Sequence, residues 1–234
     1  MVGRHPVEAV LTHQRARAER LYLQSGAALE PLAEVARRAG VPINEVDADA
    51  LDLLAGRGLV HQGAVLRCGP YPYAAIEGFA KAPDLTLVLD GVEDPRNLGA
   101  AARAAYALGA SLLVVPQDRA AGCTASAHKA AAGALSRLSV ARVGNLRRAL
   151  EQLKERGAWI VGAEADADKA PWQVDLQGPV AVVVGGEDRG LRRLTREACD
   201  FVVSIPMAAA DTSLNAADAA TVLLYEALRQ RRAR

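Results

Sequence analysis

The run Val180-Ala181-Val182-Val183-Val184 constrains the fold of this chain more than any other feature. A strand without polar alternation has no face to give to water, so it must be covered on both sides. Sheets buried on both faces are mostly parallel, because their crossover helices supply the cover. The theme repeats along the C-terminal two-thirds. Candidate strands lie at 86–89, 112–115, 138–141, 159–161, 180–184 and 201–205. Candidate helices lie at 98–108, 126–134, 145–156, 191–198 and 214–230. The alternation of strand and helix predicts an α/β domain with a mostly parallel sheet over 84–234.

Residues 1–68 read as a smaller α/β unit of their own. Helical patterns at 5–11, 29–39 and 47–54 are interleaved with strand patterns at 20–24 and 64–67, and Gly40 stops the second helix. Between the two units, 69–83 (GPYPYAAIEGFAKAP) lacks clean periodicity and reads as a linker with one short helix at most.

Composition narrows the function classes. The chain has 28 Lys+Arg against 27 Asp+Glu, a net of +1, so any nucleic-acid footprint has to be local. The arginine clusters at 15/17/20, 37/38, 147/148, 192/193 and 229–234 read mainly as solvated helix faces. Cys68, Cys123 and Cys199 are far apart, form no CxxC, and do not combine with the four histidines at ligand spacing, so neither a disulfide framework nor a metal is expected. With no signal-like N-terminus and no apolar run of membrane-span length, a cytoplasmic location is expected.

Three junctions carry the chemistry. Each is an apolar strand that ends abruptly in a polar loop before a helix: LDGVEDPRNLGAAARAAYALGA (89–110), VAVVVGGEDRGL (180–191) and VVSIPMAAADTSLNAADAATVLLYE (202–226). Ligands of open α/β sheets bind where loops leave the carboxyl ends of strands, so three such loops can converge on one site. In the first, Asn97 occupies the expected N-cap and Arg103 is the only charge on an alanine-lined helix, off its Leu98/Ala105/Leu108 face. In the second, Gly185-Gly186 would let a ligand approach the backbone closely. In the third, Asp211, Thr212 and Ser213 compete for a single N-cap, a surplus of polar groups. No junction matches a dinucleotide fingerprint or a P-loop.

Together, DPRNLGAAARAA, the strand followed by GGED-x-G-L, and IPM…SLN before a helix resemble the SpoU family of S-adenosylmethionine-dependent RNA 2′-O-methyltransferases, within the SPOUT superfamily. VGRHPVEAVL, LYL, GLVHQGAVLR, DRAAGCTASAHKAAAGAL and LRRLTREACD extend the resemblance toward the subgroup that methylates a guanosine of 23S rRNA. The resemblance implies an L30e-like RNA-binding domain at the N-terminus, a catalytic domain with a C-terminal trefoil knot, and a homodimer with its active site at the subunit interface. Carried over by position, Gly185, Gly186, Glu187, Ile205, Met207, Ser213, Leu214 and Asn215 are the implied cofactor-binding set. Asn97, Arg103, Glu187, Ser213 and Asn215 are the implied catalytic set, with Arg103 as activator of the ribose. The sequence departs from the family at Ala208-Ala209-Ala210, where a glycine is usual, and at Ala216-Ala217-Asp218, where Val-Ser-Val is usual. Alternatives left open are a related enzyme acting on tRNA or another rRNA site, and an RNA-binding ribosome-assembly factor without catalysis.

Overall fold

The computed structural model describes every residue except Arg57, Asp188, Arg189, Ala210, Asp211 and Arg234. The continuous apolar strands pair side by side in one direction. Six strands, β4 (Leu85–Asp90), β5 (Leu112–Pro116), β6 (Ser139–Val143), β7 (Trp159–Ala163), β8 (Val180–Gly185) and β9 (Phe201–Val203), form a parallel sheet of order β6-β5-β4-β8-β7-β9. β4 and β8 pair with Asp90 opposite Gly185, so the first and second junctions leave the sheet at the same level. One face is covered by α4 (Pro95–Ala107), α5 (Ala125–Ala131) and α8 (Ala216–Arg232), the other by α6 (Leu146–Glu155) and α7 (Arg193–Glu197). Alternate strand residues divide between the two cores, Val182 with the first and Val183 with the second. After β9 the chain returns across the sheet, and α8 packs on α4 and β8. This path is compatible with the knot that the resemblance implies.

The N-terminal unit has its own three-stranded sheet, β2-β1-β3, with β1 (Ala18–Gln24), β2 (Ile43–Val46) and β3 (Ala64–Cys68). α1 (Arg4–His13), α2 (Glu30–Arg38) and α3 (Ala48–Ala55) surround it. β2 escaped the sequence reading because INEV offers only two partly buried apolar ends and no apolar face.

Several expected boundaries shift for local reasons. The helix expected at 126–134 stops at Ala131, because Ala132 (φ 47°) and Gly133 (φ 95°) turn left-handed. The helix expected at 191–198 shortens to α7 because Leu191 is drawn into the core and Arg192 is the N-cap. The last strand ends at Val203 rather than at 205. Most of the clustered arginines are exposed, as expected of solvated faces, but several also bond to the chain. Arg15 donates to the carbonyls of Ala18 and Gly40, Arg17 to that of Gly69, and Arg231 to those of Leu176, Asp84 and Gly178. Arg37 and Arg38 pair with Glu30 and Glu34 on their own helix. Arg234 lies outside the described residues.

Segment 69–83 is not a free linker. Ala74 bridges to Ala141 at the edge of the large sheet, Tyr71 Oη donates to Leu135 O at 2.6 Å, and Ile76 is buried in the second core. Beside Tyr71, at 5.5 Å between ring centroids, lies His128, which is fully buried with no hydrogen-bond partner for either ring nitrogen among the described residues. Burial, with Arg17 adding a smaller repulsion, pushes its imidazole down to about 3 from 6.5. The unfolded imidazole therefore takes up a proton that the folded one refuses, and stability is lost as pH falls from about 6.5 toward about 3. At pH ~5 the loss amounts to about 2 kcal/mol. His128→Leu is expected to flatten the dependence of melting temperature on pH in this window, measured by circular dichroism. A variant curve as steep as the parent's would assign the acid sensitivity elsewhere.

Candidate active site

The level ends of β4 and β8 fix the floor of a cleft of about 680 Å³. Its polar lining comes from Asp90, Glu93, Asp94, Asn97, Arg119, Glu187 and Arg192, with Ala216, the first residue of α8, closing one side. The three junctions therefore do meet, the third through the start of its helix.

The first junction is built differently from the sequence expectation. Asp94, not Asn97, is the N-cap of α4, accepting from the Arg96 amide at 2.7 Å, and Pro95 opens the helix. Asn97 sits two residues inside the helix with its side chain free for other work, and its amide donates to Glu187 across the cleft. This bond joins the first motif to the second. Arg103 is exposed, as its helical position demands, but it does not line the cleft and makes no hydrogen bond or ion pair with a described residue.

The paired glycines of the second junction serve the chain's own backbone. A Cβ on Gly185 would overlap the Gly190 carbonyl and come within 2.6 Å of the Leu191 nitrogen. A Cβ on Gly186 would lie 2.6 Å from the Gly91 carbonyl oxygen. The loop folds back on itself, Gly190 N donating to Gly186 O at 3.1 Å, and is stitched to the first junction by Gly186 N donating to Asp90 O at 2.9 Å. The chain's own backbone therefore requires glycine at 185 and 186. Asp188, in the GGED motif, lies outside the described residues.

Below the loops is an ion pair that the sequence reading missed. The Asp90 carboxylate, 1% exposed, accepts from the Arg192 backbone amide at 2.9 Å and stands 3.4 Å from its guanidinium nitrogen. A buried carboxylate needs such a partner. An aspartate at the end of the buried strand LTLVLD calls for a cation, but local spacing does not distinguish Arg192 from its exposed neighbour Arg193.

In the third junction, Asn215 is the N-cap of α8, accepting from the Asp218 amide at 2.9 Å. The expected caps Thr212 and Ser213 are exposed and make no side-chain hydrogen bond with a described residue, and Asp211 and Ala210 lie outside the described residues. Ile205 and Leu214 are half-buried, with Ile205 packed on the core, while Met207 is exposed. Among the described residues of this loop, 205–209 and 212–214, no backbone amide or carbonyl bonds to another described residue. Free backbone donors and acceptors beside half-buried apolar side chains suit the edge and faces of an adenine, so the residues present fit S-adenosylmethionine. Among the described residues, no group of three or more His, Cys, Asp or Glu is placed to hold a metal ion, and no helix is long and apolar enough to cross a membrane.

Comparison with known proteins bears on both units. The SpoU rRNA methylase family profile matches residues 84–225, and a profile for RNA 2′-O ribose methyltransferase substrate binding matches 1–74. The 23S rRNA (guanosine-2′-O-)-methyltransferase RlmB of Shewanella oneidensis is 42% identical over 98% of this chain and 96% of its own length. Its namesake in Pseudomonas putida is 40% identical over 98% and 95%. Among solved structures, the SpoU methyltransferase AviRb of Streptomyces viridochromogenes in complex with AdoMet superposes with a TM-score of 0.86 at 26% identity, covering 100% of this chain and 90% of that one.

Proposed function

The chain belongs to the SpoU rRNA methylase family, and from that premise we propose that it transfers the methyl group of S-adenosylmethionine to the ribose 2′-OH of a guanosine in 23S rRNA. One observation carries the reading: similarity to enzymes named for that reaction runs through both units at about 40% identity. The N-terminal unit is the RNA-binding part and 84–234 the catalytic part. For an enzyme with that substrate we infer a cytoplasmic location.

When bound, the cofactor supplies an activated methyl group. The chain has to hold a weakly acidic hydroxyl in line with it and favour the oxyanion that develops there. Ile205, Met207 and Leu214 would hold the cofactor, with backbone groups around them and with the Gly185-Gly186-Glu187 turn. Asn97 and Ser213 would orient the ribose, and Glu187, kept in place by Asn97, would fix the geometry between the two. Asn215 acts by anchoring the third loop to α8. Arg103 would stabilise the developing 2′-oxyanion, since a guanidinium that stays protonated is a poor base and a good donor. Because Arg103 lies outside its own cleft, we infer that it serves the cleft of a second subunit in a homodimer, and that the site is complete only there.

The test is methyl transfer from tritiated S-adenosylmethionine to 23S rRNA transcribed in vitro, with the product mapped for 2′-O-methylguanosine. Calorimetry is expected to give micromolar affinity for S-adenosylhomocysteine, about −8 kcal/mol. No binding at millimolar ligand would end the enzymatic reading and leave the RNA-binding assembly factor.

A further inference from the structure

The cleft has a second arginine. Arg119 lies in the loop between β5 and α5 and lines the cleft from the side of β4 away from β8, β7 and β9. Its backbone is left-handed, with φ 52°, a conformation that costs a non-glycine residue energy and persists only where the surroundings impose it.

The surroundings do impose it. Gln117 N donates to Val143 O, and Gln117 O accepts from Arg142 at 3.0 Å. Ala121 N donates to Val92 O at 2.8 Å, inside the first junction. Cys123 N donates to Tyr73 Oη at 3.1 Å. The Arg119 carbonyl itself accepts from the Arg192 guanidinium, which Asp90 holds from below. The loop is thus tied at both ends and in its middle.

The Arg119 side chain is the exception. It is exposed and makes no hydrogen bond or ion pair with any described residue. Asp90 is matched by Arg192, Asp94 by Arg96, and Glu187 by Asn97. Glu93 lines the same cleft and is also unpaired, yet it forms no ion pair with Arg119. A strained backbone therefore presents an uncommitted guanidinium at the mouth of the cleft. Such a group suits a phosphate, to which it offers two parallel N–H donors.

We infer that Arg119 binds a backbone phosphate of the RNA strand beside the ribose that enters the cleft. The inference rests on the functional reading above. It goes beyond it in fixing the side from which the strand enters: across β5, opposite the loops after β8 and β9 that would hold the cofactor.

Arg119→Asn removes the cation and keeps a residue that tolerates the left-handed backbone. Arg119→Lys keeps the charge and loses the fork. Filter binding of the 23S rRNA transcript, repeated across a salt series, is expected to show the Kd of Arg119→Asn raised about tenfold. Its slope of log affinity against log salt should shrink by about one unit. Arg119→Lys should fall between it and the parent. KM for RNA should follow Kd, with kcat and the affinity for S-adenosylhomocysteine unchanged. An RNA affinity and salt slope equal to the parent's, in an enzyme whose parent methylates RNA, would overturn the assignment of Arg119 alone. Weakened cofactor binding with unchanged RNA binding would move the residue to the cofactor side and equally overturn it. A parent protein that transfers no methyl group to RNA would overturn the functional reading, and this one with it.

Discussion

Arg103→Ala is expected to lower single-turnover methyl transfer by ~100-fold or more at saturating RNA and cofactor, the usual scale for losing a donor to developing charge. Folding and cofactor affinity should be little changed, because the side chain is exposed and makes no hydrogen bond or ion pair with a described residue. Arg103→Lys should rescue poorly, since a point charge does not reproduce the guanidinium fork. The position of Arg103 outside the cleft adds a second arm. If it reaches the site of a partner subunit, a mixture of Arg103→Ala and Glu187→Ala proteins forms hybrid dimers with one intact site each, and activity returns that neither variant has alone. A loss of less than about threefold in Arg103→Ala would return it to an ordinary surface arginine. Absence of complementation, with a monomer by light scattering, would remove the shared site.

Gly185→Ala is expected to abolish measurable cofactor binding and to destabilise the fold. The added Cβ would meet the backbone of Gly190 and Leu191, which cannot swing aside as a flexible side chain would. Overpacking of this kind costs about 1–3 kcal/mol, or roughly 3–10 °C in melting temperature for a chain of this size. To relieve the overlap, the Gly186–Gly190 turn must lift away from the first junction, and Glu187 would move with it. Gly178→Ala is the control, because nothing lies within 4 Å of its added Cβ. Calorimetry with S-adenosylhomocysteine and a thermal melt check both arms. A Gly185→Ala protein with parental melting and affinity would show that the turn has room that its packing denies.

The fold was legible where burial dictates sequence. VAVVV and LTLVLD state that both faces are covered, and all six strands of the large sheet fall within a few residues of expectation. What stayed illegible was what polar side chains do when several could do the same job. Asp94 and Asn97 are both competent caps, and the sequence alone does not say that proline at 95 favours the former. The third junction offers the same ambiguity, and the cap is Asn215, beyond the three residues expected. Gly185 and Gly186 announced a close approach but not what approaches, which is the chain itself. Arg192 looked like its neighbour Arg193, yet one sits on a buried carboxylate and the other pairs with Glu197 on an exposed helix. Arg192 finds its carboxylate 102 residues away and Asn97 its partner 90 residues away, and helical or strand periodicity carries no record of such pairs.

Tyr71, Tyr73 and Ile76 have a practical bearing on dissecting the protein. They follow the small sheet in sequence but belong physically to the large one: Ile76 fills its second core, and the two tyrosine hydroxyls hold Leu135 and Cys123. A cut at residue 84, where the catalytic pattern begins, would remove the bridge from Ala74 to the sheet edge at Ala141 and the Tyr73 hydroxyl that holds one end of the loop carrying Arg119. A C-terminal half that keeps these contacts begins near residue 70. In any chimera that exchanges the RNA-binding half, residues 70–83 should travel with the recipient's catalytic half, because the seam between interchangeable parts falls ahead of the tyrosines.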